Sequence, residues 1–270
     1  MAKQSKNNKK LKKIAIIILS IILICTVVSI IVIKYTEHVH NKIQMEVSKV
    51  LETIEIPQEE ITPQKTERML QIAELQKENS EIVGWLEIEG TNINYPVLQG
   101  INNDYYLTHN YKHEKVSGGS LFLDKAYDFS IPSSNLLIYG HRNKKGLLFE
   151  DLIKYKDEEF YKEHTTIKFT TAEEEAVYEI ISAFNSRVYY QNEKNVFRYY
   201  FFVNAENREE YEEFVNNSKK ASLYETGVTA EYGEQLLTLS TCDYSQKNGR
   251  FAVVAKKQVS EQTENQEVEQ

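Results

Sequence analysis

The sequence predicts a mainly β (α+β) protein: a closed β-barrel of about eight strands with peripheral helices, preceded by an N-terminal transmembrane helix. Three observations carry this. Residues 14–33 form twenty consecutive positions without a charge. From Gly84 onward, short runs rich in Val, Ile, Tyr and Phe alternate with Gly, Asn and Asp, and an antiparallel sheet closed into a barrel fits their spacing. Two stretches interrupt that pattern by placing apolar and aromatic residues three or four apart among charged ones, which marks helices on the barrel's outside.

The uncharged run, made almost entirely of Ile, Leu, Val, Ser, Thr and Cys, spans a hydrocarbon core of ~30 Å at ~1.5 Å per residue. Lys3, Lys6, Lys9, Lys10, Lys12 and Lys13 precede it and only Lys34 follows closely. Positive-inside bias therefore predicts a cytoplasmic segment 1–13, a single-pass anchor 14–33 and an extracytoplasmic remainder at the cell membrane. A cleavable signal peptide is the competing reading, but the run is longer than a usual h-region and no small-x-small site follows it.

Segment 34–80 reads as a stalk with some helix. Residues 35–64 are polar and carry Pro57 and Pro63, whereas 66–79 places Met69, Ile72, Ala73 and Leu75 at helical spacing behind Thr66 as N-cap. The barrel, 81–257, is expected to use strands at 85–88, 93–98, 120–123, 136–139, 166–170, 176–187, 199–203, 235–241 and 250–256. Its helices fall at 147–155 and 208–218. The polar, acidic tail 258–270 holds two valines and cannot offset the entropy of ordering, so it reads as disordered.

The net charge of −8 becomes about −14 once the six N-terminal lysines are set aside, which argues against nucleic acid as a partner. There is no phosphate-binding glycine loop and no paired-cysteine metal signature, and the sequence calls for no cofactor and no metal. His38 and His40 lack a thiol or carboxylate at ligand spacing and belong with the polar stalk.

Of two cysteines, Cys25 lies in the anchor, so Cys242 is the single thiol of the remainder and no intramolecular disulfide forms there. A lone thiol is either a buried apolar residue or a candidate nucleophile. Cys242 ends an apolar strand and precedes the polar loop 243–249, and Arg250 opens the next strand. A hairpin through that loop brings the guanidinium beside the thiol. A thiol of ordinary pKa ~8.5 needs a base or an electropositive setting to attack at neutral pH. His141 directly follows strand 136–140 and opens a polar turn, the same setting as Cys242, whereas His109, His113 and His164 lie in loop-like stretches. A surface or internally satisfied histidine remains the alternative.

Thr238-Leu-Ser-Thr-Cys242 resembles the TLxTC active-site motif of sortases, with Arg250 at the family's arginine and Tyr139-Gly-His141 matching its histidine motif. Ser222-Leu-Tyr-Glu-Thr-Gly-Val228 and the helical insertion 208–218 are similar to class B members. The resemblance covers about 81–257. No lid segment precedes the barrel and no second hydrophobic segment follows it, as class C pilin-polymerising enzymes usually have. One departure is Arg142, where many class B sequences carry asparagine.

The resemblance implies a cysteine transpeptidase, with Cys242 attacking a threonine carbonyl in the C-terminal sorting signal of a secreted protein. A thioester results, His141 serves as acid and base, and Arg250 stabilises the oxyanion. Asn103, Leu107, Tyr139, Ser240 and Asp243 are the substrate-groove candidates, although Leu107 could be core, Tyr139 a barrel-wall aromatic and Asp243 a turn cap. The acyl acceptor is the amine of a lipid-linked peptidoglycan precursor or, alternatively, a pilin amine. Two other classes compete. A papain-like peptidase would place its cysteine at a helix start and before the histidine; a non-catalytic membrane-tethered binding domain would have lost a member of the triad.

Overall fold

The computed structural model describes residues 2–131, 133–143 and 146–259. The expected disordered tail therefore lies, from residue 260 on, outside the described residues. The chain divides into two compact units between Ile43 and Gln44. The first lies within helix α1, Ala2–Ser48, which contains a window of mean hydropathy 3.4 with none of it buried and is long and apolar enough to cross a membrane. Helix continues past residue 33 into the segment read as stalk. Residues 34–48 hold neither proline nor glycine, so nothing local breaks the hydrogen-bond ladder.

In the second unit, α2 spans Glu67–Glu78, and the Thr66 side chain accepts from the Met69 N–H as the N-cap its sequence position predicts. Met69, Ile72 and Leu75 are buried along one face. The Arg68 guanidinium lies 5.9 Å from the Trp85 ring centroid, which ties α2 to the first barrel strand. Gln71 donates to the Leu51 and Ile54 carbonyls at 3.1 and 3.2 Å, stitching the preceding turn onto the same helix.

Among the described residues ten strands follow: β1 Ile82–Glu87, β2 Asn94–Leu98, β3 Leu121–Leu123, β4 Asn135–Gly140, β5 Arg142–Asn143, β6 Leu147–Leu148, β7 Thr166–Thr170, β8 Glu175–Arg187, β9 Leu236–Cys242 and β10 Gly249–Lys257. Eight close into a barrel in the order β1-β2-β3-β4-β9-β10-β8-β7, and β5 and β6 form a separate hairpin. The eight-stranded closure matches the sequence reading. Wholly antiparallel pairing does not: β2 pairs β3 and β4 pairs β9 in parallel. A parallel neighbour needs a long crossover, and residues 99–120 and 141–235 supply the two.

Two further local expectations fail. Residues 147–155 are not a helix but β6 followed by a 3-10 turn, Asp151–Lys156. Leu148 has φ +55, and the Asp151 carboxylate accepts from the Asn92 N–H at 2.9 Å. Tertiary contact thus overrides the helical spacing. Residues 199–203 are not a strand; Tyr199–Phe201 is a 3-10 turn, with Tyr199 against Phe184 at 5.4 Å and Phe202 stacked on Phe214 at 4.0 Å. The aromatic run fills space between the barrel and a helix instead of joining the sheet. That helix, α4, spans Arg208–Ala221 with Asn207 as N-cap. A short helix, α3, Glu158–Glu163, had no counterpart in the sequence reading.

The core is the barrel interior and its covered flank. β9 is buried from Leu236 to Thr241, as are Phe251, Ala252, Val253, Val254 and Ala255 of β10. The hydroxyl of Thr238 reaches the Asn135 amide oxygen at 2.9 Å, so this apolar run carries its polar side chain already satisfied.

Candidate active site

The parallel pairing of β4 and β9 decides where the chemistry sits. Gly140 is the register partner of Thr241, and the Thr241 hydroxyl donates to the Gly140 carbonyl at 2.8 Å. His141 and Cys242 each follow that rung by one residue, so both leave the sheet at the same end. β10 returns antiparallel and makes Arg250 the partner of Cys242. Backbone register therefore brings His141, distant in sequence, to the same end of the sheet as the hairpin pair Cys242 and Arg250. Gly140 is needed there, because a Cβ would lie 2.4 Å from a Leu121 methyl and 2.5 Å from the Phe149 ring. Behind it, the Phe149 N–H donates to the His141 carbonyl at 3.1 Å.

Burial lowers the His141 pKa from its ordinary 6.5; an interaction with the Leu107 carbonyl opposes this, and the nearby positive charge of Arg250 adds to it. Burial and that charge both disfavour the imidazolium, which favours a ring able to accept a proton. Arg250 directs one guanidinium N–H to the Gly249 carbonyl at 2.9 Å.

These residues line one cavity of about 680 Å³, walled also by Asn103, Asp104, Leu107, Phe122, Tyr139, Val188, Tyr189, Tyr199, Tyr200, Phe201 and Ser240. A cavity of that size, with six Phe and Tyr side chains among its lining residues, suits a short peptide. Among the described residues no cluster of three His, Cys, Asp or Glu side chains is placed to hold a metal.

Of the five groove candidates, Asn103, Leu107, Tyr139 and Ser240 line this cavity. Their polar atoms are tied into its walls. Asn103 donates to Asp124 at 2.8 Å and accepts from the Lys125 N–H at 2.8 Å. The Tyr139 hydroxyl donates to the same carboxylate at 3.1 Å, and burial with that carboxylate nearby raises its pKa. Ser240 shares a hydrogen bond of 2.8 Å with the buried Tyr199 hydroxyl. Asp243 is not among the lining residues; its side chain is 2% exposed and faces Lys156 and Ser245. Sequence reasoning missed the aromatic wall. The signal is present, since residues 197–202 hold five aromatics in six positions, but β-propensity assigns 199–203 to a strand.

A thiol, a half-buried imidazole and a guanidinium lining one cavity on a closed barrel have the chemistry that cysteine acyl transfer requires. Residues 86–258 match the Sortase domain family. Over 188 residues the chain is 34% identical to Sortase B of Listeria monocytogenes, covering 69% of this chain and 73% of that protein. Sortase B from B. anthracis in complex with AAEK1 superposes with a TM-score of 0.68 at 33% identity, over 83% of this chain and 98% of that one. The Staphylococcus aureus sortase B–substrate complex gives 0.67 at 28% identity, over 84% and 98%. The chain belongs to the sortase family, class B, and is a cysteine transpeptidase.

Proposed function

We propose that this enzyme cleaves the sorting signal of a secreted protein after a threonine and transfers the protein to an amine of a lipid-linked peptidoglycan precursor. The observation that carries the reading is the shared rung: His141 and Cys242 one residue beyond the Gly140–Thr241 pair, with Arg250 across from Cys242, all three lining one cavity. The Cys242 sulfur attacks the threonine carbonyl as His141 takes the thiol proton. Arg250 donates to the oxyanion, a role worth ~3 kcal/mol in comparable sites. The C–N bond then breaks, the departing amine takes the proton from His141, and the thioester remains. An incoming amine gives up a proton to His141, attacks the thioester and forms the new amide, returning the thiol.

Asn103, Leu107, Tyr139 and Ser240 hold the acyl segment in this reading, and Asp243 acts from outside the groove. The six lysines ahead of the apolar run 14–33 support a cytoplasmic N-terminus and a barrel at the outer membrane face. That is where exported proteins and lipid-linked precursors meet.

The test is intact mass of the full-length chain in detergent, incubated with sorting-signal peptides with and without an amine, beside Cys242→Ala. An adduct that requires Cys242, with product moving to the added amine, supports the reading. A folded protein that gives neither adduct nor cleavage across a broad peptide library removes it.

A further inference from the structure

Asp243 follows the nucleophile directly, yet its carboxylate turns inward. Oδ2 accepts from Lys156 Nζ at 2.7 Å and from the Ser245 hydroxyl at 2.7 Å, and Oδ1 accepts from the Ser245 N–H at 3.2 Å. Burial works against the charge, but these bonds outweigh it and hold the carboxyl below its usual range. The Asp243 N–H donates to the Gly249 carbonyl at 3.0 Å. That same carbonyl accepts the Arg250 guanidinium at 2.9 Å. Gly249 tolerates nothing larger, because a Cβ would sit 2.2 Å from the Asp243 carbonyl oxygen.

Lys156 is itself fixed. It ends the 3-10 turn Asp151–Lys156, next to Tyr155, which is fully buried and receives the Tyr224 hydroxyl on its carbonyl at 2.8 Å. Its ammonium lies 5.5 Å from the Phe251 ring centroid, one residue beyond Arg250. A cation held from a separate element thus reaches under the β9–β10 loop and sets the turn on which the guanidinium rests.

We infer that Lys156 and Asp243 are positioning residues of the transpeptidase, acting through the Gly249 carbonyl to hold Arg250 toward the reacting carbonyl, without touching the substrate themselves. The inference rests on the proposed role of Arg250. It accounts for an acidic side chain beside a nucleophilic thiol: paired with Lys156, its charge is spent inside the protein. Removing Lys156 leaves that carboxylate unpaired next to Cys242 and releases the turn.

The experiment compares wild type, Lys156→Met, Lys156→Arg, Asp243→Asn, the double variant Lys156→Met/Asp243→Asn and Cys242→Ala in full-length enzyme, measuring kcat and KM with one sorting-signal peptide and thermal unfolding. Lys156→Met and Asp243→Asn are expected to lower kcat at least tenfold with peptide KM within threefold of wild type. Lys156→Arg should stay within threefold of wild type in kcat, and the double variant should be no worse than the poorer single one. Unchanged kcat in folded Lys156→Met overturns the inference. So does a rise in KM at constant kcat, or additive losses in the double variant. Absence of Cys242-dependent product from wild type would instead strike at the proposed function.

Discussion

The two sides of the catalytic cavity are built differently. One is the floor made by the ends of β4, β9 and β10, where each residue is fixed by a rung of the sheet. The other is the segment from Val188 to Phe201, which contributes cavity wall from a loop and a 3-10 turn. The floor is buried at Ser240 and Thr241, whereas on the other side only Tyr199 is buried and Phe201 is 76% exposed. In the proposed function, the reacting groups stand on residues held by the sheet, and the groups that meet the peptide stand on a loop and a turn. Chemistry and selection should therefore separate under mutation.

The largest effect should come from the floor. Arg250→Lys keeps the charge but loses the planar fork, and kcat should fall by about 10²–10³ while the peptide KM changes little. Steady-state kinetics checks this; a large change in KM with kcat intact would place Arg250 in binding alone. Next is Gly140→Ala. The added methyl meets Leu121 and Phe149 at distances no packed carbon tolerates, so stability should drop by ~1–3 kcal/mol. Unfolding midpoints measure that drop, and kcat should fall with it because His141 is the next residue.

The floor also predicts a pH dependence. The folded-state pKa of His141 lies below 6.5 because burial and Arg250 disfavour the imidazolium. As pH falls below 6.5 the unfolded chain takes up a proton that the folded chain refuses, so stability declines on the acid side and is regained above 6.5. The slope from this one group cannot exceed ~1.4 kcal/mol per pH unit. His141→Gln should flatten that acid-side slope in urea titrations at pH 5 and pH 7. An unchanged slope would mean the imidazole charges as freely in the folded state as in the unfolded one.

The same division explains what could be seen in the sequence. Thr238-Leu-Ser-Thr-Cys242 lies in β9 and Tyr139-Gly-His141 runs off the end of β4, so register carries their geometry directly into a motif. Arg250 was visible too, because a hairpin relates it to Cys242 locally. The parallel pairing of β4 with β9 was not, since that contact depends on the crossover of residues 141–235 rather than on any local pattern. Asp243 sat in the correct loop, but the direction of its side chain is set by Lys156, 87 residues away. For residues 199–203, β-propensity pointed to a strand; packing of Tyr199 and Phe202 against Phe184 and Phe214 decided otherwise.

The smallest predicted effect tests the adaptable wall. Phe201 is 76% exposed, so Phe201→Ala should change folding stability by no more than about 0.5 kcal/mol. An apolar side chain left in water by folding, yet lining the cavity, gains burial only when a peptide covers it. Losing ~1 kcal/mol of that contact should raise the peptide KM about fivefold and leave kcat within twofold. Parallel kinetics of Phe201→Ala and Arg250→Lys with one peptide then read the two walls against each other. If Phe201→Ala lowers kcat instead, the loop helps to align the reacting carbonyl, and the separation of chemistry on the strands from selection on the loop is lost.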